Sequence, residues 1–519
     1  MKSRSLLTAL TAPATMLVTM AALSLGSGTS DQPGSIVGVG RVPKITPDYV
    51  GIVIPPNVAP LNHVINEPGE KYLVRIHAAS GKQVEVVSRT GRIVIPQEKW
   101  KDLLANNAGR ELRFDVRIKA KNGTWNQYQT IVNTIAEESI DSYLIYRFMM
   151  PSSYFPKRMK ICQRNLENFN ERVVLDTAFF GNGCAHCHAF ANNAPDKMLI
   201  GIRSTSFPSA TLFVHDGKID KIGSKFGYTA WHPSGKIAAY SMNDVKQFFH
   251  TARTEIHDVV DLDSAIVYYD VDKSHTRTTP AISNKQRLET YPAWTPDGKS
   301  LYFSSAPLLW TDKETVPPRQ YKEVRYDLMR IGYDINTDSW GTLETVLSAE
   351  ETGLSILLPR VSPDGRFLLF CMSEYGCFPI YQPSSDLYLM DLQTGKYQKP
   401  PINSDYAEAW HSWSSNSRWI VFSSKRQAGL FTRPYISYVD GHGTAHKPFV
   451  LPQEDPSFYE SCCGVYSVPE LIAGPVTVNN SALVKTVLSP AQISVNTVTG
   501  ATPKANSTEA YMKGQALVQ

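Results

Sequence analysis

Tyr291-Pro-Ala-Trp-Thr-Pro-Asp-Gly-Lys-Ser-Leu-Tyr-Phe-Ser304 reads as a short strand, a tight turn and a second, alternating strand. Pro presets φ, Asp accepts from the backbone two residues on, and Gly supplies a positive φ, so the run is a hairpin. The frame returns as Tyr228-Thr-Ala-Trp-His-Pro-Ser-Gly-Lys-Ile-Ala-Ala-Tyr-Ser241 and as Leu358-Pro-Arg-Val-Ser-Pro-Asp-Gly-Arg-Phe-Leu-Leu-Phe-Cys371. A fourth copy is Trp410-His-Ser-Trp-Ser-Ser-Asn-Ser-Arg-Trp-Ile-Val-Phe-Ser423. Each is followed by a further strand ending in an acidic turn, at 265–270, 326–334, 386–391 and 435–440. A repeat of roughly 50 to 70 residues is one four-stranded blade with loop insertions. A lone blade cannot cover both its faces, so blades stack around an axis as a β-propeller. Strands at 198–203, 211–215 and 459–468 bring the expected count to five or six, with the last closing the ring against the first.

The rest of the chain fits a mainly β protein. Its 519 residues allow two or three domains, and 10% aromatic with 19% charged residues suits half-buried pleated surfaces. A net charge of +4 is too weak a field to expect nucleic acid as a partner. Lys2 and Arg4 precede an apolar run over 6–25, and small residues follow to Ser30. Residues 1–30 read as a secretory signal peptide, which places the mature chain in the periplasm or cell envelope. The protein meets a membrane only if this run stays uncleaved.

Seven cysteines are too few for a disulfide scaffold of this length. Cys184-Ala-His-Cys187-His188 has the spacing that attaches c-type haem: two thiols add across the vinyl groups of one porphyrin edge, and the following His reaches the iron. One covalent haem c is therefore the expected cofactor, bound through Cys184 and Cys187 with His188 as proximal ligand. A CxxC redox pair wants a βαβ context and a zinc site a second ligand pair, and neither pattern is present. The other five thiols are an odd number, so at least one is unpaired within the chain. Cys371 and Cys377 flank a short loop and could bridge, whereas the adjacent Cys462 and Cys463 are disfavoured as partners of each other.

The repeats resemble the TolB-like propeller family, a WD40-related group of bacterial envelopes, over about residues 196–470. More closely, the chain is similar to envelope proteins that join such a propeller to one CxxCH segment, through 163–169, 184–198, 374–378 and 411–419. The resemblance implies a toroidal fold and export, and that group has no agreed activity to carry over.

Before the ring, alternating runs at 48–54, 71–75, 83–88 and 111–120, with a helix over 97–106, predict a small β-sandwich-like domain across 40–145. Residues 154–195 read as a haem-binding segment of short helices and loop. Its basic group, Lys157, Arg158, Lys160 and Arg164, suits haem propionates or an acidic partner, or is a solvated face. Residues 474–519 lack periodicity and read as a disordered tail.

For the sixth iron position three residues are candidates: His250, His411 and Met198. His411 stands at the start of an inner strand, where other copies have Thr229, Pro292 and Pro359. His250 sits in an insertion opening on the same face of the ring, and its reach favours it slightly. Met198 lies ten residues beyond His188, and a Met ligand would raise the potential relative to bis-His. His232 occupies a turn slot on the opposite face and reads as structural. Tyr268, Tyr269, Tyr302 and Tyr326 read as blade core. No hydrolase triad or phosphate-cradling loop is recognisable. Electron transfer with a redox protein partner leads. The alternatives are a haem-dependent oxidoreductase of nitrogen or peroxide chemistry and a TolB-like protein-binding scaffold.

Overall fold

The computed structural model describes residues 35–151, 157–204, 207–251, 255–427 and 429–497. The leader at 1–30 and the last residues of the tail lie outside them. Six sheets, each of four strands in up-and-down order with one extra strand on the third, stand around a common axis. Each inner strand touches that of the next blade, and the sixth touches the first. The ring is a six-bladed β-propeller.

Blades two to six start from the inner strands Cys184–Phe190, Gly227–Trp231, Arg287–Trp294, Ser355–Val361 and Glu408–Trp413. Blade one is assembled from both ends of the ring's sequence. Tyr143–Met150, Lys157–Asn165 and Glu171–Asp176 supply three strands, and Val465–Ile472 returns as the inner one. Closure is thus made by an antiparallel ladder, which leaves no open edge at the seam.

The repeated turn works as its composition dictates. Gly235, Gly298 and Gly365 take φ of 68°, 72° and 71°, and Ser417 holds the same slot at 63°. Asp297 accepts from the Lys299 amide, Asp364 from that of Arg366 and Asn416 from that of Arg418. His232 packs against the next turn, its Nε2 at 3.1 Å from the Gly298 carbonyl. A Cβ on Gly298 would lie 2.3 Å from that ring nitrogen, so the position needs glycine twice over.

The segment expected over 154–195 is, in its described part from Lys157, built of strands joined by short turns at Thr177–Phe180 and Ala191–Asn193. These are strands of blade one and the inner strand of blade two. The basic run masked a period-two pattern in which Met159 and Ile161 are buried between charged neighbours. The basic group serves the blade: Lys160 pairs with Asp176 at 3.1 Å, Arg164 donates to the Pro452 carbonyl at 3.0 Å, and Arg158 is exposed.

The preceding domain is a seven-stranded sheet and a three-stranded sheet closed by the helix Gln97–Ala105. Lys71–Ala78 and Glu111–Lys119 alternate buried and partly exposed residues, and the helix inserts Trp100, Leu103 and Leu104. This domain is bound to blade six. Trp419 Nε1 donates to the Glu138 carbonyl at 3.0 Å, and Asp141 accepts from Ser415 N at 2.8 Å and Oγ at 2.5 Å.

The reading of 474–519 as a disordered tail fails within the described residues, which fold onto the ring over 474–497. Helix Asn480–Leu488 buries Leu483 and Val487, one turn apart, against blades one and two. Lys221 Nζ donates to the carbonyls of Val487 and Ser489, each at 2.9 Å. Five of its nine residues are apolar, but they do not keep to one face and only Leu483 and Val487 are buried, so the sequence showed no clear period. Leu483→Ala is expected to cost about 2–5 kcal/mol, read as a lower urea midpoint of a single unfolding transition. A separate early transition would show the helix to be an appendage.

Candidate functional site in the central channel

Every inner strand carries the same irregularity. The pairing register slips between His186 and Ala189, Gly227 and Ala230, Thr290 and Ala293, Leu357 and Arg360, and Ala409 and Ser412, and correspondingly in blade one. At each slip one non-glycine residue is left-handed: Cys187, Tyr228, Tyr291, Leu358, Trp410 and Val468, with φ between 45° and 57°. Six such residues on one rung are a costly, shared β-bulge. The bulge turns these side chains to the axis. Tyr228 lies 4.4 Å from Tyr291 and 6.1 Å from Trp410, ring centre to ring centre, and Phe378 lies 5.3 Å from Trp410. An aromatic plug fills one side of the channel. Cys187, Tyr228 and Val468 keep part of their surface accessible while ringed by protein, as do Arg360 and Glu470 two residues beyond their bulges.

The CxxCH motif therefore lies on a blade's inner strand, with its second thiol in the bulge slot. His188 follows the bulge in blade two as His411 does in blade six. Both rings turn into the space towards the preceding blade. His411 is satisfied there, with Nε2 3.1 Å from the Leu369 carbonyl and Nδ1 3.7 Å from Cys371 Sγ. His188 is not. Its side chain is 1% exposed, neither ring nitrogen makes a well-formed hydrogen bond although the Val468 backbone lies beside it, and Glu470 Oε2 stands 3.9 Å away. Burial pushes the His188 imidazole down to about 3 and the Glu470 carboxyl up to about 7. His186, packed over Gly201, also has a buried Nε2 without a partner.

His250 and His411 do not meet His188. His250 is tied to Asp258 of its own hairpin at 3.0 Å, and His411 lies between blades five and six. Met198 is fully buried opposite Phe190 in the apolar layer between blades one and two, the layer that His188 faces. The Phe190 ring is 6.3 Å from that of His188. Cys371 and Cys377 are separate thiols, one beside His411 and the other pointing at the Val259 carbonyl 3.7 Å away. Cys462 and Cys463 are also free.

A covalent haem asks for two thiols, an imidazole nitrogen with nothing else to bind, and countercharge for carboxylates. Cys184 and Cys187 supply the first, and the orphaned nitrogens of His188 supply the second. Arg147, Arg203 and Lys225, whose charge falls on His186 and Cys187, supply the third. The donor set fits such a group, with one restriction: the His188 ring is enclosed by blade one.

Where the inner strands begin, a strap crosses the channel mouth. It is the extension of Ile237–Phe249 and His257–Asp270 from blade three. Glu255 pairs with Lys425 of blade six, His257 stacks on Tyr381 at 5.2 Å, and Asp258 accepts from Tyr375 at 2.9 Å and Gln382 at 3.1 Å. Beneath it Asp261, Tyr326 and Cys377 help line a cavity of about 10 Å³, room for about one water. Asp261 Oδ1 and the Tyr326 hydroxyl have no protein partner there. These polar groups were not found from sequence, because insertions in different blades bring them together.

No protein-family model matches the chain, and no curated protein matches it. Among solved structures it is similar to an oligogalacturonate lyase in complex with manganese (12% identity, 74% of this chain and 98% of that one, TM-score 0.31). It is also similar to Kuenenia stuttgartiensis hydrazine synthase (13%, 50% and 64%, 0.28) and to the Dos1 propeller (15%, 53% and 64%, 0.30). These are likenesses of fold alone. The propeller stands on its own six sheets.

Lys425→Met leaves the Glu255 carboxylate without its cation in a buried place. Amide exchange of 245–251 and 255–258 should then quicken roughly a hundredfold, the equivalent of about 3 kcal/mol for an orphaned buried charge. Unchanged exchange would show that the strap is held by its ring contacts. Burial raises the Asp261 carboxyl to about 7, so the folded state binds its proton more tightly than the unfolded chain does. Its contribution to stability is present at low pH and lost as pH rises from about 4 to about 7. Asp261→Asn should flatten the fall of the urea midpoint over that window, by at most about 1.4 kcal/mol per pH unit.

Proposed function

We propose that the chain is an exported monohaem c-type cytochrome of the cell envelope, working in electron transfer with a redox protein partner. The observation that carries this reading is the His188 ring within CxxCH, buried and with neither nitrogen in a well-formed hydrogen bond. A group bound there supplies one-electron chemistry at iron. Cys184 and Cys187 would hold it covalently, and His188 would ligate its metal. The aromatic plug of Tyr228, Tyr291 and Trp410 lines the channel beside Cys187 with rings, and the polarity of such a surround is one of the levers on reduction potential. Because blade one encloses His188, the group has to be in place before blades one and two pack. Of the three candidates for the sixth position, His250 and His411 are bonded elsewhere, and Met198 shares the layer that His188 faces.

A pyridine haemochrome assay on protein purified from the envelope fraction should find one covalent haem per chain, absent in Cys184→Ala. No covalent haem in the wild type would overturn the reading. Oxidised and reduced spectra should be low-spin. Met198→Ala should abolish the weak long-wavelength band of methionine ligation, while His250→Ala and His411→Ala leave it in place. A high-spin wild type that binds peroxide, nitrite or hydroxylamine would point to an oxidoreductase instead.

A further inference from the structure

We propose that the cavity beneath the strap is a binding site for a small ammonium-type cation, held by Asp261 and walled by aromatic rings. The site is independent of the haem. Three insertions build it. Asp261 comes from the strap, Trp310, Tyr321 and Tyr326 from blade four, and Tyr375 and Cys377 from blade five. Contacts between these insertions fix the roof: Trp310 Nε1 donates to the Leu262 carbonyl at 3.0 Å, and Cys377 Sγ stands 3.7 Å from the Val259 carbonyl. The space of about 10 Å³ takes one water or one ion of that size.

Two groups of this wall have capacity to spare. Asp261 is 2% exposed and gives Oδ2 to Asn243 Nδ2 at 2.6 Å. Its Oδ1 makes no well-formed hydrogen bond, although the Ser264 hydroxyl lies beside it. The Tyr326 hydroxyl, in a side chain that is fully buried and feels the Asp261 charge, has no partner. A water would satisfy both groups but would not answer the charge. Burial, with the carboxylates of Asp244 and Asp263 nearby, raises the Asp261 carboxyl to about 7, so the place is short of positive charge. The neighbouring cations stand elsewhere. Lys313 pairs with Asp263 at 2.5 Å, and Lys322 lies over the Tyr321 ring at 5.6 Å. Lys225 and Asp261 act on each other from beyond ion-pair distance. Tyr321 and Tyr375 meet edge to face, 5.8 Å apart at 83°, and aromatic walls attract a cation through the negative faces of their rings. A hard metal ion wants several oxygen ligands, and no such group occurs among the described residues. One carboxylate, one hydroxyl and several rings suit an N–H donor instead.

Urea unfolding of the purified chain at about pH 8, above the range in which Asp261 titrates, tests the site. Ammonium chloride should raise the midpoint above its value in sodium chloride of equal ionic strength, because a ligand of the folded state stabilises it. Tetramethylammonium, too large for the space, should match sodium. Asp261→Asn should weaken the apparent ammonium affinity about tenfold or more, the usual cost of losing a bond to a charged group. Tyr326→Phe should weaken it less, and Lys225→Met, which removes a competing positive charge, should tighten it. Isotope-labelled ammonium gives a reading on the wild type alone: its bound protons should appear in the nuclear magnetic resonance spectrum as a separate, exchange-protected signal. Equal midpoints in ammonium, sodium and tetramethylammonium, with no bound signal, would leave a buried water only and overturn the proposal. Ammonium binding that Asp261→Asn leaves unchanged would overturn it too.

Discussion

The left-handed bulge on each inner strand is the constraint on which the rest depends. Each one costs conformational energy in a residue that is not glycine, and all six sit on one rung. Such strain persists only where the surrounding structure over-determines it. Here that surround is the ladder of each blade and the packing between blades. The slip lets one side chain per blade turn to the axis and sends the next towards the preceding blade. Channel chemistry and inter-blade chemistry are thereby set by adjacent residues, and Cys187 with His188 is one such pair.

That arrangement explains why equivalent residues have unequal fates. His411 finds a carbonyl and a thiol on blade five, while His188 faces Glu470 at 3.9 Å and finds no well-formed bond. A buried imidazole left in this state is a cost that the fold bears without any visible structural return.

Much of the ring was legible because its turns are written in residues with unique backbone roles. Gly298 and Gly365 at positive φ, with Asp297 and Asp364 preceding them, mark the hairpin regardless of context. The fourth copy, with Asn416 and Ser417, keeps the geometry with a weaker signature. The first two blades were harder to read. Their turns lack the Pro-Asp-Gly frame, and the charged residues alternating through Lys157–Asn165 resemble a helix face until Met159 and Ile161 are seen to be buried. The helix Asn480–Leu488 was missed for a related reason: Leu483 and Val487 acquire meaning only once a surface for them exists. For the candidate site, the motif named Cys184, Cys187 and His188, but Asp261 of the blade-three strap, Tyr326 and Cys377 come from different parts of the chain. Only tertiary structure brings them near.

The seam in blade one has a consequence for the timing of biosynthesis. Its inner strand, Val465–Ile472, is among the last parts of the ring to leave the ribosome, whereas Cys184 to His188 emerge early. Until that late segment arrives, the wall that shuts in the His188 imidazole is missing, and the nascent polypeptide resembles an open bracelet. The two thiols of the CxxCH segment are therefore open to reagents in solution until the final strand arrives as the clasp.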